Sequence, residues 1–138
     1  MIKAEREACA DVIAGLIDAQ LDTPSLCTGW SVRHLAAHMV GTAEMTPGAF
    51  LARMVKTGFR FNVMVERLAE KCEAGGASDM ANRLRAKAGG PNHPPGPVAA
   101  MLGEAVVHGD DLRRPLGLSQ AIPAPTWWRW RTSTSGPI

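Results

Sequence analysis

LGEAVVHGDDLRRPLGL, Leu102 to Leu118, holds Glu104 and His108 four residues apart in a segment spaced as a helix. A four-residue helical step rises about 6 Å and turns about 40° past a full circle, so carboxylate and imidazole project side by side. The same spacing serves a solvated helix edge with an i, i+4 contact. It also offers two ligands to a divalent metal, as in zinc sites built from two His and one Glu. A third ligand must then come from elsewhere, and the other histidines are His34, His38 and His93.

Working back from this stretch, Pro97 starts its helix, which is expected over Val98–Leu112 with Val98, Met101, Leu102, Ala105, Val106 and Leu112 inward. Pro115 and Gly117 stop it. AGGPNHPPGP before it is a loop by every local signal, and His93 inside it reads as a surface residue. Ile2 to Leu21 has amphipathic spacing at Cys9, Ile13, Leu16, Ile17 and Leu21, and Asp22-Thr23-Pro24 ends it. Glu5 and Glu7 suit its N-terminal end.

Ser31 is a good N-cap for a second main helix, Val32 to Glu44, with Val32, Leu35, Ala36, Met39 and Ala43 on its apolar stripe. At about 100° per residue, His38 lies about 130° from the stripe's centre and His34 about 170°. His38 is thus nearer the edge, where it can face a cleft, while His34 is expected to point outward. Thr46-Pro47 caps a short amphipathic stretch through Val55. Phe61 to Cys72 forms a third main helix, and Ser78 is expected to cap a short polar one ending near Lys87.

A chain of 138 residues suits one domain with a single core. The net charge of +2, with acids and bases interspersed, gives no case for nucleic acid. A helical transcription regulator would need a basic recognition face, and Val32–Glu44 has only Arg33 and two His. Three widely spaced cysteines, Cys9, Cys27 and Cys72, suggest reduced thiols in a cytoplasm, with Cys27 read as a small core residue. No membrane span or signal peptide is expected.

TPSLCTGWSVRHLAAHM (Thr23–Met39) and GEAVVHGDDLRRPLG (Gly103–Gly117) resemble the two signature stretches of the mycothiol-dependent maleylpyruvate isomerase family. The resemblance spans about Ala4 to Pro123. It implies an all-α, DinB-like four-helix bundle over residues 1–122, with a metal between the second and fourth main helices. Carried over position by position, the implied ligands are His38, Glu104 and His108. The implied cofactors are a divalent metal, zinc or else nickel, and mycothiol or another low-molecular-weight thiol.

The implied activity is addition of the metal-activated thiolate to a small electrophile, by an isomerase or S-transferase. The alternative is a non-catalytic metal-binding relative, acting as a sensor, thiol-binding or scaffold protein. Beyond small molecules, the partner to consider is a second copy in a homodimer. Asp111 can hydrogen-bond a ligand His or pair with Arg114. Arg113 and Arg114 complement the helix dipole, with anion binding the lesser alternative. The Trp-rich tail from 123 to 138 departs from the family pattern, as a truncated or frame-shifted end would, and is expected to be irregular.

Overall fold

The computed structural model describes residues 1–118, and the named elements among them are all helices, with no named strand. Helix α1 spans Ile2–Ala14, α2 Asp18–Leu21, α3 Val32–Glu44, α4 Pro47–Lys56, α5 Phe61–Glu73, α6 Gly76–Lys87 and α7 Val98–Arg113, followed by a 3-10 turn at Arg114–Leu116. The Trp-rich tail lies outside the described residues. No described helix is long and apolar enough to cross a membrane.

Two sequence-level starts hold to the residue. Ser31 Oγ accepts the His34 backbone N–H at 3.1 Å to begin α3, and Thr46 Oγ1 accepts that of Ala49 at 3.2 Å to begin α4 with Pro47 in its first turn. The first helix is shorter than its apolar spacing suggests. It ends at Gly15, whose N–H turns back to the Val12 carbonyl at 3.1 Å, and α2 then restarts after Ile17. A glycine there costs helix stability and tolerates the tight turn, so Ile17 ends up exposed, not on the core stripe. Helix α6 begins two residues before Ser78, at a left-handed Gly76 (φ 72°).

The core is organised on α3, which packs against α5, α6 and α7, while α1 packs against α6 and α7. All five apolar-stripe residues of α3 are buried, and so are Ala37, Val40, Gly41 and Thr42. A helix covered on three sides has little solvent face left. Helix α6, expected to be merely polar and short, contributes Met80, Ala81 and Leu84 to this core.

Two glycines set close helix approaches. A Cβ on Gly41 would stand 2.7 Å from Leu68 Cγ, so α3 and α5 meet through a bare backbone. A Cβ on Gly109 would stand 2.5 Å from Glu5 Oε1 and 3.1 Å from Cys9 Sγ, so α7 meets α1 in the same way. Beside it Arg113 is buried. Its Nη2 binds the Glu5 carboxylate and lies 3.2 Å from Cys9 Sγ, while Nε and Nη1 have no partner among the described residues. Arg113 stands in the last turn of α7, where a cation complements the helix dipole, and it is also buried because α1 closes over that turn. Burial in this packing pushes the Cys9 thiol up to about 12, with Arg113 opposing the shift.

Candidate metal centre and adjoining cavity

Helix α3 supplies His38, and α7 supplies Glu104 and His108 one turn apart. His38 Nε2 lies 3.4 Å from Glu104 Oε1, and the His38 and His108 rings meet edge-on with centroids 5.2 Å apart. One donor atom from each of the three residues falls within 4.8 Å of the other two. All three side chains are partly buried, as the α3–α7 crossing requires.

Protonation suits ligand duty. Burial lowers the pKa of His108, and the neighbouring His38 lowers it further against the pull of Glu104 and Asp111, which favours the neutral imidazole. For Glu104, burial would raise the pKa, but hydrogen bonding with His38 and Thr42 outweighs it and holds the carboxyl below its ordinary value. Tetrahedral zinc with N and O bonds near 2.0–2.2 Å needs donors about 3.4 Å apart. The His38–Glu104 separation meets that spacing, and two imidazoles with one carboxylate are a donor set suited to a borderline divalent ion.

Behind His108 stands Asp111, with Oδ2 3.5 Å from His108 Nδ1. Arg114 does not join it; that guanidinium pairs with Asp110 at 2.6 Å. Cys27 packs against the core from its edge. It is only half-buried, with Sγ 3.4 Å from Asp111 Oδ2 and 3.7 Å from His108 Nδ1. Cys27, His108 and Asp111 thus form a second close donor group. Burial, then the Asp111 carboxylate, push this thiol up to about 11, so it is a proton donor to Asp111 and not a ready thiolate.

His34 also departs from expectation. It is largely buried between α3 and α5, with Nδ1 2.5 Å from Glu73 Oε1 and Nε2 3.1 Å from Glu66 Oε2. The second contact is off the N–H line, so Glu66 is there a charge partner and not a hydrogen-bond acceptor. The outward angle on α3 points into α5 because α5 covers that face. His93 is likewise partly buried, with Nδ1 2.8 Å from the Pro94 carbonyl.

Trp30 joins these features. Its ring lies 5.0 Å from that of His38 and 4.9 Å from that of His34, and its Nε1 donates to Glu66 Oε1 at 3.0 Å. A cavity of about 360 Å³ opens beside it, lined by apolar residues such as Phe50, Phe61 and Leu68, and by His38, Glu104 and Glu66. Ser31 before α3 was a capping signal in the sequence; the tryptophan that precedes it also walls the cavity.

The model of the family described as the mycothiol maleylpyruvate isomerase N-terminal domain matches residues 2–89, more than half of the chain. The chain belongs to this family. The mycothiol maleylpyruvate isomerase match includes the first signature stretch and His38, and stops before Glu104 and His108. No curated protein and no solved structure gives a significant match. Within this family member, grouping the α7 pair with His38 therefore rests on the geometry above.

Proposed function

We propose that this DinB-like domain is a cytoplasmic metal-dependent enzyme using a small thiol, of the isomerase or S-transferase type. His38, Glu104 and His108 would hold one divalent ion, zinc or else nickel. The observation that carries this reading is the convergence of the three donors, two of which, His38 and Glu104, line a largely apolar cavity. When bound, the metal supplies a Lewis acid that stabilises a thiolate at neutral pH.

The chain's own groups supply the rest. Asp111, facing Nδ1 of His108, fixes the ring so that Nε2 is the nitrogen offered to the ion. Thr42 orients Glu104 by hydrogen bonding. The aromatic and aliphatic wall excludes water from an electrophile lying beside His38. The raised pKa of Cys27 keeps it from competing as nucleophile, which leaves an external thiol such as mycothiol, the thiol in the family's name.

Cobalt substitution tests the reading. Adding a small thiol to the cobalt protein should produce a sulfur-to-metal charge-transfer band, titrating in below the free thiol's pKa of about 8.5. Glu104→Gln should weaken the band by removing a charged ligand. Metal binding with no thiol response at any pH where the fold survives would favour the non-catalytic alternative.

A further inference from the structure

The compound in the family's name, maleylpyruvate, carries two carboxylic acid groups, both ionised at neutral pH. A cavity built for such a dianion needs cationic or multiple N–H donors beside its apolar wall. Among the described residues lining this cavity there is no lysine and no arginine, and two are carboxylates, Glu66 and Glu104. Arg6, whose charge Glu104 feels, lines a separate small space with Met39 and Ala105 and is absent from the cavity wall. Arg113 is committed to Glu5, and Arg114 to Asp110.

Glu66 is built into this wall. One oxygen accepts the Trp30 indole N–H at 3.0 Å and the other lies 3.1 Å from His34 Nε2. His34 is itself shared with Glu73, so a protonated His34 still leaves the trio one negative charge in excess. A divalent metal held by His38, Glu104 and His108 and carrying a thiolate would be neutral together with Glu104, which leaves the charge of Glu66 standing at the α5 side. We infer that the cavity selects an uncharged or cationic electrophile with an apolar body, and that Glu66 is the specificity residue that turns carboxylates away. This names the substrate class for the proposed enzyme and rests on reading the cavity as its substrate pocket.

The test compares three probes of similar size: benzylammonium, benzyl alcohol and phenylacetate. Binding to the full chain is followed by the indole N–H resonance of Trp30 in nitrogen–proton NMR, in both metal-free and zinc-loaded protein. A unit charge a few ångströms from Glu66 should make benzylammonium bind about tenfold or more tightly than phenylacetate, with benzyl alcohol between them. Glu66→Gln keeps an acceptor for Trp30 and should shrink that ratio severalfold.

Raising sodium chloride on the unaltered chain should shrink the ratio as well, which keeps the test open if the variant does not fold. Phenylacetate binding as tightly as benzylammonium in the metal-free protein, or a ratio indifferent to both Glu66→Gln and salt, overturns the inference. A chain that takes up no zinc yet keeps the preference removes the metal reading and leaves the role of Glu66 standing. A chain that takes up zinc and shows no preference does the reverse.

Discussion

Cys27 gives its S–H to Asp111 across 3.4 Å, tying the loop before α3 to the C-terminal half of α7. The Leu26 N–H adds a backbone bond to the Asp111 carbonyl at 3.3 Å. One carboxylate thus serves a thiol on one side and the Nδ1 of His108 on the other.

Replacing Asp111 with Ala should therefore weaken zinc binding about 10–100-fold without removing a direct ligand. It should also lower the Cys27 pKa from about 11, since the carboxylate is one cause of the rise. Competition with a zinc chelator and the pH dependence of Cys27 alkylation check the two parts. Tighter zinc binding in the variant would mean that Asp111 does not position His108.

His38→Ala should abolish most zinc binding, because a three-donor set loses one bond, while His34→Ala should leave stoichiometry near one per chain. The structure adds a second readout. His34→Ala leaves Glu73 without its imidazole partner between α3 and α5, a loss of about 1–3 kcal/mol in unfolding free energy. Elemental analysis and urea denaturation on both variants separate the roles. Equal loss of metal from both would show the ligand to be misassigned.

The buried Arg113–Glu5 pair should respond asymmetrically. Glu5→Leu alone strands a guanidinium that already has two nitrogens unpartnered among the described residues, at a cost of about 3–5 kcal/mol. Adding Arg113→Met should recover much of that loss, since two apolar side chains replace two buried charges. Urea midpoints for the single and double variants give the comparison, and a double variant weaker than the single would refute it.

At acid pH the pair of Glu44 and Arg83 should be felt. Arg83 binds both Glu44 oxygens at 2.8 Å, and this hydrogen bonding holds the carboxyl below its ordinary value against the opposing effect of burial. A depressed folded pKa contributes stability above the unfolded value of 4.5, and that contribution is lost as pH falls through the folded value. Because both side chains are partly exposed, the effect should be no more than about 1 kcal/mol. Glu44→Gln should lose less stability than the unaltered chain between pH 6 and pH 3, measured by urea unfolding (pH points on the order of the carboxylate range).

Local chemistry was the legible part of this fold. Ser31 and Thr46-Pro47 announce their helices because a cap is decided within four residues. The α3 apolar stripe and the Glu104–His108 step follow from helical period alone. What periodicity does not contain is the neighbour on the far side of a helix. His34 looked solvent-facing because its angle was measured from α3's stripe, whereas α5 brings Glu66 and Glu73 to that face. Arg113 looked like a terminal charge because Glu5 is more than a hundred residues away in the chain. Cys27 meets Asp111 across a similar separation, which no spacing rule reaches.

Gly109 follows directly after His108, and its bare Cα admits the Glu5 carboxylate where a methyl group would collide. Glu5 cannot simply swing aside, since it answers the buried Arg113. Positions 5, 109 and 113 are therefore free to drift only together. Among relatives, a larger residue at 109 should travel with a shorter one at 5 and an uncharged one at 113. Such covariation would mark the back wall of α7 as the ruler that sets how far His108 reaches toward His38.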